Sequence, residues 1–70
     1  MNKITINGFE YRTDLDKTYS DIYLTCAMHG DPNFAHNGTR YKVISKIDAG
    51  LIIRSEDNEL FIVSKKNKAL

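Results

Sequence analysis

The sequence predicts an α+β fold in which one amphipathic helix packs against a curved antiparallel sheet, in the order ββαβββ. Three observations carry this. An Asn7-Gly8 pair is flanked by alternating residues, Leu15 to Cys26 carries apolar side chains at helical spacing, and three β-branched runs follow residue 39. Seventy residues make one domain, spanning 1–70. A chain of this size buries only about 60% of the surface its unfolded form exposes, so it builds one small core.

The first element is a β-hairpin over residues 3–12, Lys3-Ile4-Thr5-Ile6 and Phe9-Glu10-Tyr11-Arg12. Asn-Gly suits the two positive-φ positions of a type I′ turn, which matches the twist of the flanking strands. Alternation puts Ile4 and Ile6 on one face, Phe9 and Tyr11 on one face, and leaves Thr5 and Glu10 outward.

A change of period follows. Leu15, Tyr19, Ile22, Tyr23 and Cys26 form one helical stripe, which predicts a helix over residues 14–29. Thr13 suits the N-cap, with Asp16 completing an acidic capping box and Asp14 facing the positive end of the dipole. Thr18 or Ser20 serves equally well as a later cap. Gly30 fits the position just past the end, with Pro32 beyond it. Ile22, Leu24, Cys26 and Met28 also alternate, so an all-β small barrel with a strand over 20–28 is the competing reading.

Residues 30–38, GDPNFAHNG, read as a loop anchored by Phe34. The segment 39–65 then reads as a three-stranded antiparallel meander, with runs Tyr41 to Ile47, Leu51 to Ile53 and Leu60 to Val63 separated by turn residues. Its first strand should place Tyr41, Val43 and Ile47 on one face and Arg40, Lys42 and Lys46 on the other. The two later runs are apolar on both faces. One face packs on the helix and hairpin, and the other needs a cover from barrel closure, a second copy or a partner. Residues 66–70 read as a frayed basic tail. From Gly38 to Val63, a glycine, a Tyr-x-Val pair and two short strands across tight turns resemble the opening strands of a small SH3-like barrel.

Ten basic and nine acidic residues leave a net charge of +1, which gives no global field toward nucleic acid or anionic membrane. Cys26 is the single cysteine, which excludes an internal disulfide and fits a reducing, cytoplasmic setting. The amino-terminal stretch has no signal-peptide core, and no run approaches the ~20 apolar residues that span a bilayer. The chain therefore reads as cytoplasmic, and its small size and single-domain style suit a viral or prokaryotic protein.

Four constellations bear on chemistry. Cys26, His29 and His36 offer a Cys-x2-His pair and a second histidine, with Asp31 nearby. Zinc sites show two compact ligand pairs, so the spacing favours a buried thiol and two surface histidines, with no metal or cofactor. Cys26 with His29 as base would put a thiolate at the unfavourable end of a helix, and so small a chain encloses no ordinary substrate pocket, so no enzyme is expected. Arg40, Lys42, Lys46 and Arg54 outline a basic strand face that would suit nucleic acid, although strand edges also carry lysine to prevent mispairing. Seven large aromatics exceed what a small core uses, and tyrosine is enriched at protein interfaces. The sequence therefore points to a non-enzymatic, accessory or inhibitory binding protein. It docks on a larger protein, or on a second copy as a homodimer, through Tyr19, Tyr23, Phe34 and Phe61, with nucleic acid as the second partner class.

Overall fold

The computed structural model describes residues 3–65 in backbone, without the side chains of Thr25, Ala27, Met28 and His29. The tail at 66–70, expected to fray, lies outside the described residues. The chain forms β1 (Lys3–Ile6), β2 (Phe9–Arg12), α1 (Tyr19–His29), β3 (Asn33–His36), β4 (Thr39–Ile47), β5 (Gly50–Ser55) and β6 (Leu60–Ser64). The strands make one six-stranded sheet in the order β1-β2-β6-β5-β4-β3. The sheet is mixed rather than wholly antiparallel, because β2 meets β6 in parallel at Arg12 and Phe61.

The amino-terminal hairpin forms as expected, with Lys3 opposite Arg12 and Ile6 opposite Phe9. Asn7 (φ 52°) and Gly8 (φ 84°) take the two left-handed positions of the turn. The helix starts later than residue 14. Thr18 is the N-cap, its hydroxyl accepting from the Asp21 N–H at 3.1 Å, and Gly30 closes the far end at φ 62°. The reason lies in Asp14, which Arg12 holds through two hydrogen bonds of 3.0 and 2.8 Å and so keeps at the end of β2. Residues 20–28 are therefore helical, and β1 and β3 stand as the two sheet edges, which removes the all-β barrel.

The loop expected over 30–38 is another correction. Asn33–His36 pairs with Thr39–Lys42 through a second Asn-Gly turn, Asn37 at φ 51° and Gly38 at φ 79°. The meander thus has four strands. Asn33, Ala35 and His36 are poor strand formers alone, and pairing with β4 overrides that propensity.

The helix side of the sheet holds the core. Ile22, Phe34, Leu51, Ile53, Phe61 and Val63 are buried together, with Leu15, Tyr19, Cys26, Tyr41 and Val43 packed at the margin. At 0% exposure, Ile22 and Ile53 form its centre. Gly50 is required by close approach, since a Cβ there would run into the Val63 carbonyl oxygen.

The opposite face differs from expectation in two ways. A β-bulge lies between Val43 and Ser45, so that Val43 opposes Ile53 while Ser45 opposes Ile52. One inserted residue reverses the alternation beyond it. Lys46, opposite Leu51, therefore joins the helix side, and Ile47, opposite Gly50, leaves it. The hairpin's apolar residues also lie away from the helix: Arg12 shares the side of Phe61, so Tyr11, Ile4, Ile6 and Phe9 take the other. On that side Ile52 and Ile62 are buried within the chain itself, at 5% and 2% exposure. At those two positions no second copy is needed as cover.

Candidate functional site

The face between α1 and β4 combines an exposed aromatic with an apolar groove. One turn of helix separates Tyr19 from Tyr23, which brings their rings into a stack with centroids 5.8 Å apart and planes 10° from parallel. Lys46, carried to this side by the bulge, sets its ammonium 5.2 Å from the Tyr23 ring centroid. These contacts hold the ring while leaving Tyr23 47% exposed. Beside it opens a groove of about 360 Å³, lined by Ile22, Cys26, Pro32, Val43 and Leu51, with Asp31 at its rim. Burial pushes the Cys26 thiol above its ordinary pKa, and the Asp31 charge pushes it further in the same direction. The thiol stays protonated and behaves as an apolar wall.

Of the four aromatics expected to make a contact surface, the structure brings Tyr19 and Tyr23 together and places the other two elsewhere. Phe34 (9% exposed) and Phe61 (5%) are core residues. Tyr41 joins them, stacked on Phe34 at 5.2 Å and edge-on to Phe61 at 5.7 Å. Their rings are used up in packing. Lys46 was expected on the basic face, and its role beside Tyr23 follows from a bulge that leaves no mark in the sequence.

A second cavity of about 270 Å³ opens where the end of β2 faces the turns after β3 and β5, and it is polar. Arg12 dominates it, bonding Asp14, lying 3.9 Å from Glu59 and standing 4.8 Å over the Phe61 ring. The hydrogen bond to Arg12 lowers the Asp14 pKa, and the same bond raises that of Arg12. The Ser55 hydroxyl bonds the Asp57 carboxylate and lowers its pKa, while also accepting from the Glu59 N–H at 3.1 Å. Its principal charges are thus satisfied within the chain. The arrangement clips the β5–β6 turn to the end of β2.

The basic candidates divide. Arg40 and Lys42 share one face of β4 and Arg54 stands directly across from Lys42, while Lys46 lies on the helix side. The metal candidates divide as well. Cys26 lines the apolar groove and His36 the polar cavity, where its Nε2 is 3.3 Å from the Asn37 amide nitrogen. The His29 side chain lies outside those described. Among the described residues, no three His, Cys, Asp or Glu side chains converge to hold a metal.

No protein-family model, curated protein or solved structure matches this chain. Among the described residues, no helix is long and apolar enough to cross a membrane.

Proposed function

We propose that this is a non-enzymatic binding protein of accessory or inhibitory type, docking on a larger protein through the face between α1 and β4. One observation carries the reading. Tyr23 is exposed yet held in place by Tyr19 and Lys46, at the mouth of an apolar groove. A pre-positioned aromatic loses little freedom on association, and such anchors beside pockets supply most interface energy. Among the described residues no carboxylate pairs with Lys46. The fitting occupant is therefore a partner segment that seats an apolar side chain in the groove and sets a carboxylate against Lys46.

The test compares wild type, Tyr23→Ala and Lys46→Glu in affinity capture, with circular dichroism confirming the fold and light scattering reporting self-association. Tyr23→Ala should weaken capture of one stoichiometric protein by at least about 2 kcal/mol, on the order of 30-fold. Lys46→Glu should abolish it by charge repulsion. Equal capture by folded Tyr23→Ala rejects the reading, and a wild-type dimer that the variants dissociate means that the occupant is a second copy.

A further inference from the structure

The side of the sheet away from the helix has an unbalanced corner. Lys42 on β4 and Arg54 on β5 are register partners, two cations directly opposite one another. Like charges so placed destabilise a sheet. Arg40, two residues from Lys42 on the same strand, adds a third cation to the same face, and all three are exposed. Among the described residues, no carboxylate comes within ion-pair distance of any of them. Glu56 is the one acidic residue in the shallow hollow they line, about 240 Å³, and it accepts a hydrogen bond from the Arg40 backbone N–H at 3.2 Å. The hollow keeps a net charge of +2. Asn58 adds an amide group at its margin, while the side-chain nitrogen of Asn33, opposite Lys42 on β3, already donates to Asp31 Oδ1 at 2.6 Å.

We infer that Arg40, Lys42 and Arg54 form a docking surface for the phosphate backbone of a double-stranded nucleic acid. Three exposed cations that repel one another gain most from a ligand carrying several anions at close spacing. Arginine, lysine and asparagine are the side chains that reach phosphate oxygens, and guanidinium matches phosphate in two-point contact. A protein partner would call for an apolar or aromatic centre among these charges. Here Phe34, Tyr41 and Phe61 all lie on the helix side. Among the described residues no aromatic ring therefore stands between the three cations to serve as an interface centre or as the stacking platform that single strands use. The apolar neighbour, Leu60 opposite Arg54, lies at the corner's edge. The surface reads charge and not sequence, and it is independent of the face at Tyr23.

The experiment is fluorescence anisotropy of the full chain with a labelled mixed-sequence duplex of about 20 base pairs, titrated between 50 and 200 mM salt. Three phosphate contacts give a slope of log K against log salt near −2.7, or about a 40-fold loss of affinity across that range. Lys42→Gln and Arg54→Gln should each reduce the slope by about 0.9. Lys42→Gln should also raise the melting temperature, because it relieves the repulsion with Arg54. Weaker binding by a more stable protein separates a ligand contact from a folding defect. Glu56→Gln should tighten binding.

Three results would overturn the inference: no anisotropy change at 50 mM salt, a slope unchanged in the Lys42→Gln/Arg54→Gln double variant, or polyglutamate competing as well as unlabelled duplex. The last outcome would assign the corner to an acidic protein.

Discussion

The two Asn-Gly hairpins begin alike and end differently. Each joins two strands through a two-residue turn with both φ angles positive, Asn7-Gly8 in one and Asn37-Gly38 in the other. Beyond the turn they part. In β1–β2 the large side chain after the turn, Phe9, is 62% exposed, and the hairpin meets the sheet through one parallel pair at Arg12 and Phe61. In β3–β4 the ring of Phe34 is buried against Tyr41, and β4 continues through six register pairs with β5. The turn sets the shape of a hairpin, and packing beyond the turn decides whether it shares the stability of the core.

The sharpest way to expose that difference is to truncate one phenylalanine in each hairpin, Phe34 before its turn and Phe9 after its own. Phe34→Ala should cost about 3–5 kcal/mol, most of what a domain of this size possesses. Phe9→Ala should stay within about 0.5 kcal/mol, since it removes an exposed ring. Urea titrations of the two variants measure both, and comparable losses would mean that the hairpins are equally anchored.

Glycine replacement gives a smaller, matched perturbation. Gly8→Ala and Gly38→Ala each force a side chain into a left-handed position, φ 84° and 79°, at about 1–2 kcal/mol. Hydrogen exchange should show the first as faster exchange confined to β1 and β2 and the second as faster exchange throughout the sheet. Identical patterns would erase the distinction.

The smallest effect concerns the clip that holds the first hairpin. Asp14 has a lowered pKa, chiefly from its hydrogen bond to Arg12, and Asp57 has one from Ser55. A carboxylate whose folded pKa is depressed adds stability that is complete above its unfolded value, near 4, and is lost as pH falls through the folded value. The urea midpoint should therefore hold level from pH 7 to about 5 and fall on further acidification. Asp14→Asn should lower the neutral midpoint and make the acid decline shallower, with amides of β2 exchanging faster.

These contrasts also mark what the sequence could reveal. The first Asn-Gly signal was plain because Ile4, Ile6, Phe9 and Tyr11 alternate around it. The second was equally present at Asn37-Gly38, but NFAH carries one strongly strand-favouring residue, and its pairing comes from β4 rather than from its own propensity. The helical stripe identified Ile22 and Cys26 as inward-facing, while the choice of Thr18 over Thr13 depended on an ion pair between Arg12 and Asp14. Aromatic content marked Tyr19 and Tyr23 alongside Phe34 and Phe61. Only the tertiary fold separates a ring spent on packing from one left at the surface.

The bulge at Ile44 acts on β4 as a frame shift acts on a message. Upstream of it Arg40 and Lys42 belong to the cationic corner, and downstream Lys46 belongs to the groove beside Tyr23. One nine-residue strand thereby serves two surfaces on opposite sides of the sheet. Deleting Ile44 would remove the bulge and leave Lys46 opposite Leu51, whereas drawing Ile44 into the ladder would return Lys46 to the corner and bring Ile47 to the groove. What gives Lys46 to the groove is thus one neighbour left out of the ladder, and nothing in the lysine itself.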